Sequence, residues 1–438
     1  LKKHSPSLLH PDRTPSLVFA DRHGVIRDFP DLNMAGRSGE AFVHPDREDL
    51  IPLPAGSELF VLPDRMPVGC DPQSGEPLLL NQDPHRPGEE IRAVAAFMAP
   101  AYTSIHVAAY QGARQKLSPL PLFAYTAVGW YNNTFWVSAF RSDPDPRQDA
   151  DQFDHKKIRE KTHRRLKAHP ENRLIQHLGT CCLQYSCPAA KNYFLDRWEA
   201  PLPSSPTCNA NCVGCISLQP SGCCPSTQER ITFVPTPAEI SEIAIPHLQK
   251  APRSVVSFGQ GCEGEPLLQA KTLTAAIRRI RSQTDRGRIN LNTNGSRPAS
   301  VEVLAHAGLD SIRVSLNSAR PEYHRRYYRP VGFTLEDVFA SIAVMKKKQR
   351  FVSLNYFILP GFTDDPDEFA ALCELIAGLR PDLIQLRNLN MDPEWYLRTV
   401  KHRPQRQPLG IRQWHATLQR LFPQLRFGYF NPVLSVGG

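Results

Sequence analysis

Residues 207–215 read Thr207-Cys208-Asn209-Ala210-Asn211-Cys212-Val213-Gly214-Cys215, and the rest of the chain is read outward from them. The cysteines are spaced C-x3-C-x2-C, a tight thiol group of the kind that binds metal. Thiolates suit iron–sulfur clusters and zinc alike. A structural zinc site closes with four ligands and this group supplies three, although Cys223 or Cys224 could complete a tetrahedron. Three thiolates on a four-iron cluster leave one iron open to a further ligand.

Downstream, from about Arg230, strands and helices alternate. Strands are predicted at Ser254–Phe258, Arg288–Thr293, Ser311–Leu316, Phe351–Ile358 and Leu383–Leu389. Thr236-Pro237-Ala238-Glu239 supplies a helix N-cap, a proline at the first helical position and a capping-box glutamate. Asp365-Pro366-Asp367-Glu368 repeats the arrangement. Such alternation argues for a parallel sheet, open or closed into a barrel. Buried parallel strands usually read as continuous apolar runs. Here polar residues recur at period two: Asn290/Asn292/Asn294, Arg313/Ser315/Asn317, Ser353/Asn355 and Gln385/Arg387. Each set lies on one face of its strand. Their convergence predicts a polar interior, read as a ligand cavity in preference to a structural hydrogen-bond network.

The cysteine loop followed by this βα-repeat resembles the radical S-adenosylmethionine (SAM) superfamily. The resemblance implies an α/β fold, a partial (β/α)6 barrel whose cluster loop follows the first strand. It also implies a [4Fe-4S] cluster on Cys208, Cys212 and Cys215 that chelates SAM and cleaves it reductively, giving a 5′-deoxyadenosyl radical that abstracts hydrogen from substrate. Three further motifs follow in the family's order. Glu263-Gly264-Glu265-Pro266 resembles its G-G-E-P turn, which receives the methionyl ammonium, with Glu263 in place of the first glycine. Asn292-Thr293-Asn294-Gly295 resembles the T-N-G ending of the third strand, and Val314-Ser315-Leu316-Asn317 the cofactor-contacting fourth strand. The implied cofactor-binding residues are therefore Glu263, Gly264, Glu265, Pro266, Thr293, Asn294, Ser315 and Asn317. Gly214 stands where the family commonly has an aromatic residue beside the adenine, so adenine packing is sought at Leu359-Pro360-Gly361.

The resemblance covers about residues 200–390, and the 438-residue chain is divided accordingly. Residues 1–150 are expected to form a β-rich, irregular N-terminal domain without a recognisable motif. Residues 151–200 form a basic helical and cysteine-containing connector, 201–392 the barrel, and 393–438 a helical tail. Within the N-terminal part, Ser57–Leu62 and Ala127–Phe140 have strand composition, the latter broken by a hairpin turn at Asn132-Asn133.

Eleven cysteines in a long chain with no visible export signal point to metal or catalytic use in a reducing, cytoplasmic setting. No run approaches the roughly 18 apolar residues that span a bilayer. Beyond the triple, Cys182, Cys187, Cys224 and Cys262 could hold an auxiliary iron–sulfur cluster. Cys70 and Cys373, without neighbouring cysteines, read as structural.

The net charge of +9 and the basic segment His155–His169 permit a nucleic-acid partner, and with it an RNA-modifying member of the superfamily. An electron donor such as flavodoxin or ferredoxin is the other partner the resemblance implies. The alternative of another class is a non-catalytic zinc or Fe–S nucleic-acid-binding module. The strand-end motifs oppose it, because a pure binding module has no use for a site for the cofactor's amine.

Overall fold

The computed structural model describes residues 13–114, 117–219, 222 and 224–432. Cys223 lies outside the described residues. The chain divides into two compact units.

One unit comprises Leu1–Asp145, Phe357–Ala370 and Leu386–Leu421. Its N-terminal part is antiparallel throughout its strand pairings. Strands Val128–Tyr131 and Thr134–Arg141 form the expected hairpin. Asn132 and Asn133 turn the chain with φ of 49° and 57°, the left-handed conformations that a tight two-residue hairpin requires. The core beneath is apolar: Val18, Ala20, Val94, Ala96, Val128, Val137 and Ala139 pack together. The later segments are bound in by charge, since buried Arg65 donates to buried Asp392 at 3.0 Å. Gly39 N–H donates to the Pro360 carbonyl at 2.9 Å, and a Cβ on Gly361 would stand 2.0 Å from Gly39 N.

The other unit comprises Pro146–Tyr356, Ala371–Gln385 and Phe422–Gly438. It opens with three helices, α1 (His155–Ala168), α2 (Arg173–Leu183) and α3 (Pro188–Phe194). A seven-stranded sheet follows in sequential order: β1 (Glu199–Pro201), β2 (Val255–Phe258), β3 (Arg288–Thr293), β4 (Ser311–Leu316), β5 (Phe351–Ile358), β6 (Leu383–Asn388) and β7 (Arg426–Gly428). The pairings β1–β2, β2–β3, β3–β4, β4–β5 and β6–β7 are parallel. Helices α4 (Pro237–Lys250), α5 (Ala270–Arg281), α6 (Pro298–Ala307), α7 (Pro321–Tyr328), α8 (Leu335–Lys347) and α9 (Pro366–Leu379) are the crossovers. The curled parallel sheet is a partial (β/α) barrel, as the sequence led us to expect. The start signals act as read. Thr236 Oγ1 accepts from Glu239 N at 3.2 Å while the Glu239 carboxylate accepts from Thr236 N at 2.7 Å.

The polar strand faces do converge, yet much of the inner layer is satisfied within the protein. Asn290 donates to Asn292 Oδ1 at 2.8 Å and accepts from Ser311 at 2.8 Å. Ser257 donates to Glu199 at 2.7 Å, and Asn431 donates to Glu199 at 2.8 Å. Gln385 donates to Asn431 Oδ1 at 3.1 Å and accepts from Arg313 at 3.1 Å. A continuous network therefore joins part of the polar interior that the sequence led us to expect. Each carbonyl and amide is paired, which removes the cost of burying it dry.

The basic helix forms as predicted, but at least three of its cations are paired, Lys157 with Asp154 at 3.4 Å among them. Lys161 and Arg165 both pair with Asp196, and the Arg165 guanidinium lies 4.5 Å from the centre of the Tyr193 ring. No helix among the described residues is long and apolar enough to cross a membrane.

Candidate functional site

The loop carrying Cys208, Cys212 and Cys215 follows β1 and is fixed by its own backbone. Asn211 N–H donates to the Tyr328 carbonyl at 2.9 Å, Val213 N–H to the Tyr327 carbonyl at 3.0 Å, and Val331 N–H to the Asn209 carbonyl at 2.9 Å. The end of α7 thus holds the loop along its length without using a thiol. All three cysteines are half-buried. Burial pushes the Cys208 thiol up to about 11 and that of Cys212 well above its ordinary value. Loading a metal there releases protons, because the ligand is the thiolate. Arg230, which the sequence did not single out, donates to Cys215 Sγ at 3.4 Å and to Ser217 Oγ at 3.1 Å. A guanidinium on a ligating sulfur is a second layer of tuning around a metal site.

The turn after β2 packs directly on this loop. Gly264 N–H donates to the Ser205 carbonyl at 2.7 Å and Glu265 N–H to the Thr207 carbonyl at 2.8 Å. A Cβ on Gly264 would stand 2.0 Å from the Thr207 oxygen, so only glycine allows the approach. Pro266, buried, opens a short 3-10 turn at Pro266–Gln269.

Glu265 is buried, and its carboxylate accepts from Leu267 N at 3.0 Å, Thr293 Oγ1 at 2.5 Å and Asn294 N at 2.8 Å. It joins the turn after β2 to the end of β3. Asn294 completes the circuit by donating from Nδ2 to Asn209 Oδ1 in the cysteine loop at 2.9 Å. Glu263, where the family has glycine, faces back into the fold. Its carboxylate accepts from Ser204 N at 2.8 Å, Ser204 Oγ at 3.0 Å, Ser205 N at 3.0 Å and Gln260 N at 2.6 Å. Four donors leave it a fastener of the segment leading into the cysteine loop. Burial pushes both carboxyls up to about 7, against the hydrogen bonds that favour their charged forms.

On β4 and just beyond it, Asn317 is buried and donates to the Tyr323 carbonyl at 3.3 Å, and half-buried Ser315 lies beside Asn355 in the register of β4 and β5. Asn355 Oδ1 and Ser296 Oγ are buried without a hydrogen-bond partner among the described residues. Unsatisfied polar atoms near strand ends suit a polar ligand. Together with a three-thiol donor set and a glycine cradle, they fit a cluster with an amino-acid-bearing cofactor. Leu359–Gly361 belongs to the other unit.

The expected auxiliary quartet was Cys182, Cys187, Cys224 and Cys262. Of these, Cys262 alone enters a tight donor group, and its companions are His177 and Cys181. Cys182 Sγ instead lies 3.5 Å from Thr162 Oγ1, Cys187 caps α3 and is half-buried, and Cys224 is buried. The hydrogen bond to Cys262, with His177 adding to it, holds the Cys181 thiol down at about 5, and the same bond raises Cys262. The i, i+4 spacing of His177 and Cys181 on α2 was the available signal; their meeting with Cys262 is set by the fold.

Residues 202–373 match the family model described as Radical SAM superfamily. The GTP 3′,8-cyclase of Heliobacterium modesticaldum is 35% identical over 104 residues, 23% of this chain and 31% of that protein. The GTP 3′,8-cyclase of Limosilactobacillus fermentum is 27% identical over 168 residues, 36% of this chain and 45% of that protein. The chain thus spans less than half the length of these curated relatives. Among solved structures, a radical SAM methyltransferase from Sphaerobacter thermophilus aligns with a TM-score of 0.37 at 15% identity, covering 54% of this chain and 68% of that one. Residues 202–373 thus carry the likeness to the radical SAM superfamily. The match implies a [4Fe-4S] cluster and SAM as cofactors.

Proposed function

We propose that this chain is an enzyme that binds a [4Fe-4S] cluster through Cys208, Cys212 and Cys215 and uses SAM to start hydrogen abstraction from a substrate yet to be identified. The single observation that carries the reading is the closed circuit from cysteine loop to Gly264-Glu265 turn to Thr293-Asn294 and back through Asn209. Bound together, the cluster and SAM supply one-electron cleavage of the cofactor's sulfur–C5′ bond, chemistry that no side chain offers. The chain's own work is placement. Its turns hold the loop thiols and the end of β3 at fixed separations, and Asn355 and Ser296 offer unsatisfied polar atoms to a bound ligand.

The electron comes from a carrier of the flavodoxin or ferredoxin type. Nucleotide action, as the relatives' name suggests, is an open substrate class, because the similarity covers less than half of either relative. The exposed cations of α1 support an RNA substrate only weakly, with Lys161 and Arg165 already paired.

The test is anaerobic reconstitution with iron and sulfide, followed by reduction in the presence of SAM. The expected product is 5′-deoxyadenosine, formed by the parent chain and reduced to background by Cys208→Ala, Cys212→Ala or Cys215→Ala. Undiminished cleavage in any of the three variants overturns the reading.

A further inference from the structure

His177 and Cys181 stand one turn apart on α2, and so share a face of the helix. Cys262 lies in the turn after β2, one residue before Glu263. The three donor atoms, one from each side chain, all lie within 4.8 Å of one another, and His177 Nε2 is 3.6 Å from Cys181 Sγ. Cys181 and Cys262 are 1% and 5% exposed, which shields a bound ion from competing water.

These spacings discriminate between kinds of metal centre. Zinc bound tetrahedrally at about 2.3 Å to sulfur and about 2.0 Å to nitrogen holds an N–S ligand pair about 3.6 Å apart and an S–S pair about 3.8 Å apart. A four-iron cluster seats each thiolate on a different iron and so spreads its sulfurs wider. Among the described residues, Cys208, Cys212 and Cys215 do not form a group as tight as 4.8 Å, whereas His177, Cys181 and Cys262 do.

We propose that His177, Cys181 and Cys262 bind a single zinc ion, separate from the cluster of the cysteine loop. Three protein donors leave the fourth tetrahedral position open. Soft thiolates with one imidazole are a preferred zinc donor set. The ion cross-links α2 to the turn that carries Glu263, Gly264 and Glu265. It shares no ligand with the cysteine loop, so zinc content and SAM cleavage are separate readouts.

The experiment uses the full chain with Cys208, Cys212 and Cys215 all changed to alanine, supplied with Zn2+. It should carry about one zinc per chain and no acid-labile sulfide, and zinc-edge X-ray absorption should show nitrogen and sulfur neighbours. Adding Cys181→Ser or Cys262→Ser should weaken zinc binding by at least about ten-fold. His177→Ala should remove the nitrogen neighbour and leave the sulfurs. The cluster-loaded parent chain should hold the same zinc, a measurement that does not depend on the triple variant folding. The proposal is overturned by a folded triple variant that takes up no zinc, or by one that holds four irons with sulfide. Zinc that persists unchanged in Cys181→Ser and Cys262→Ser, or a Cys181–Cys262 disulfide in protein prepared under reducing conditions, overturns it as well.

Discussion

The two units spend their interiors differently. Beneath the antiparallel strands the core is Val18, Ala20, Val94, Val128 and Val137, side chains that hold by area and adjust by small rotations. In the parallel sheet the inner layer is Glu199, Ser257, Asn290, Gln385 and Asn431, held by directional bonds among themselves. Apolar packing tolerates a displaced methyl group. A layer held by directional side-chain hydrogen bonds does not, because each bond survives only a narrow range of distance and angle.

Glycine substitutions expose that difference most sharply. Gly264→Ala would drive a Cβ to 2.0 Å from the Thr207 carbonyl, an immovable neighbour in the cysteine loop. Iron incorporation and SAM cleavage should both fall by at least about ten-fold, the mark of overpacking against backbone. Near-normal iron content would show that the loop yields after all.

An intermediate effect is expected from acid. His324 on α7 is buried against Tyr328 and Phe333, and burial drives its pKa down to about 4. The unfolded side chain titrates near 6.5, so the stabilising contribution is complete above that value and is lost as pH falls from about 6.5 through about 4. The loss reaches about 3 kcal/mol. Since α7 ends in the carbonyls that hold Asn211 and Val213, His324→Gln should flatten the dependence of chemical stability on pH across this window. An unchanged slope would assign the acid sensitivity elsewhere.

The smallest effect belongs to Gly129→Ala in the antiparallel unit. There the new Cβ meets Met34 and Pro15 side chains at 2.8 to 2.9 Å. Met34 Sδ can swing away, but Met34 Cβ and Pro15 Cβ are fixed to the backbone, so a cost of about 2 kcal/mol in denaturant melts is expected, with cluster loading untouched. A loss as large as that of Gly264→Ala would erase the contrast between the two interiors.

The elements with strong local signals were readable from the sequence. β3 and β4 were visible through period-two alternation, the Asn132-Asn133 hairpin through its tolerance of left-handed backbone, and α4 through its capping box. β1 was not, because Glu199-Ala200-Pro201 is too short to show a period and its proline argues against a strand. The cysteine loop was legible because its three thiols are close in sequence. Arg230 and the partnership of His177 with Cys262 were not, since nothing local specifies which distant side chains a barrel brings together. The polar interior was foreseen, and part of it is paired within the protein. Polar residues on a strand face say that partners are needed, and leave open whether the protein supplies them.

Arg230 has a consequence for electron supply. A cluster held by three thiolates would make the loop strongly negative and would resist an incoming electron. A permanent cation within 3.4 Å of Cys215 Sγ counterbalances part of that charge. With a cluster on the loop, as proposed, the guanidinium would ease the demand on the reductant.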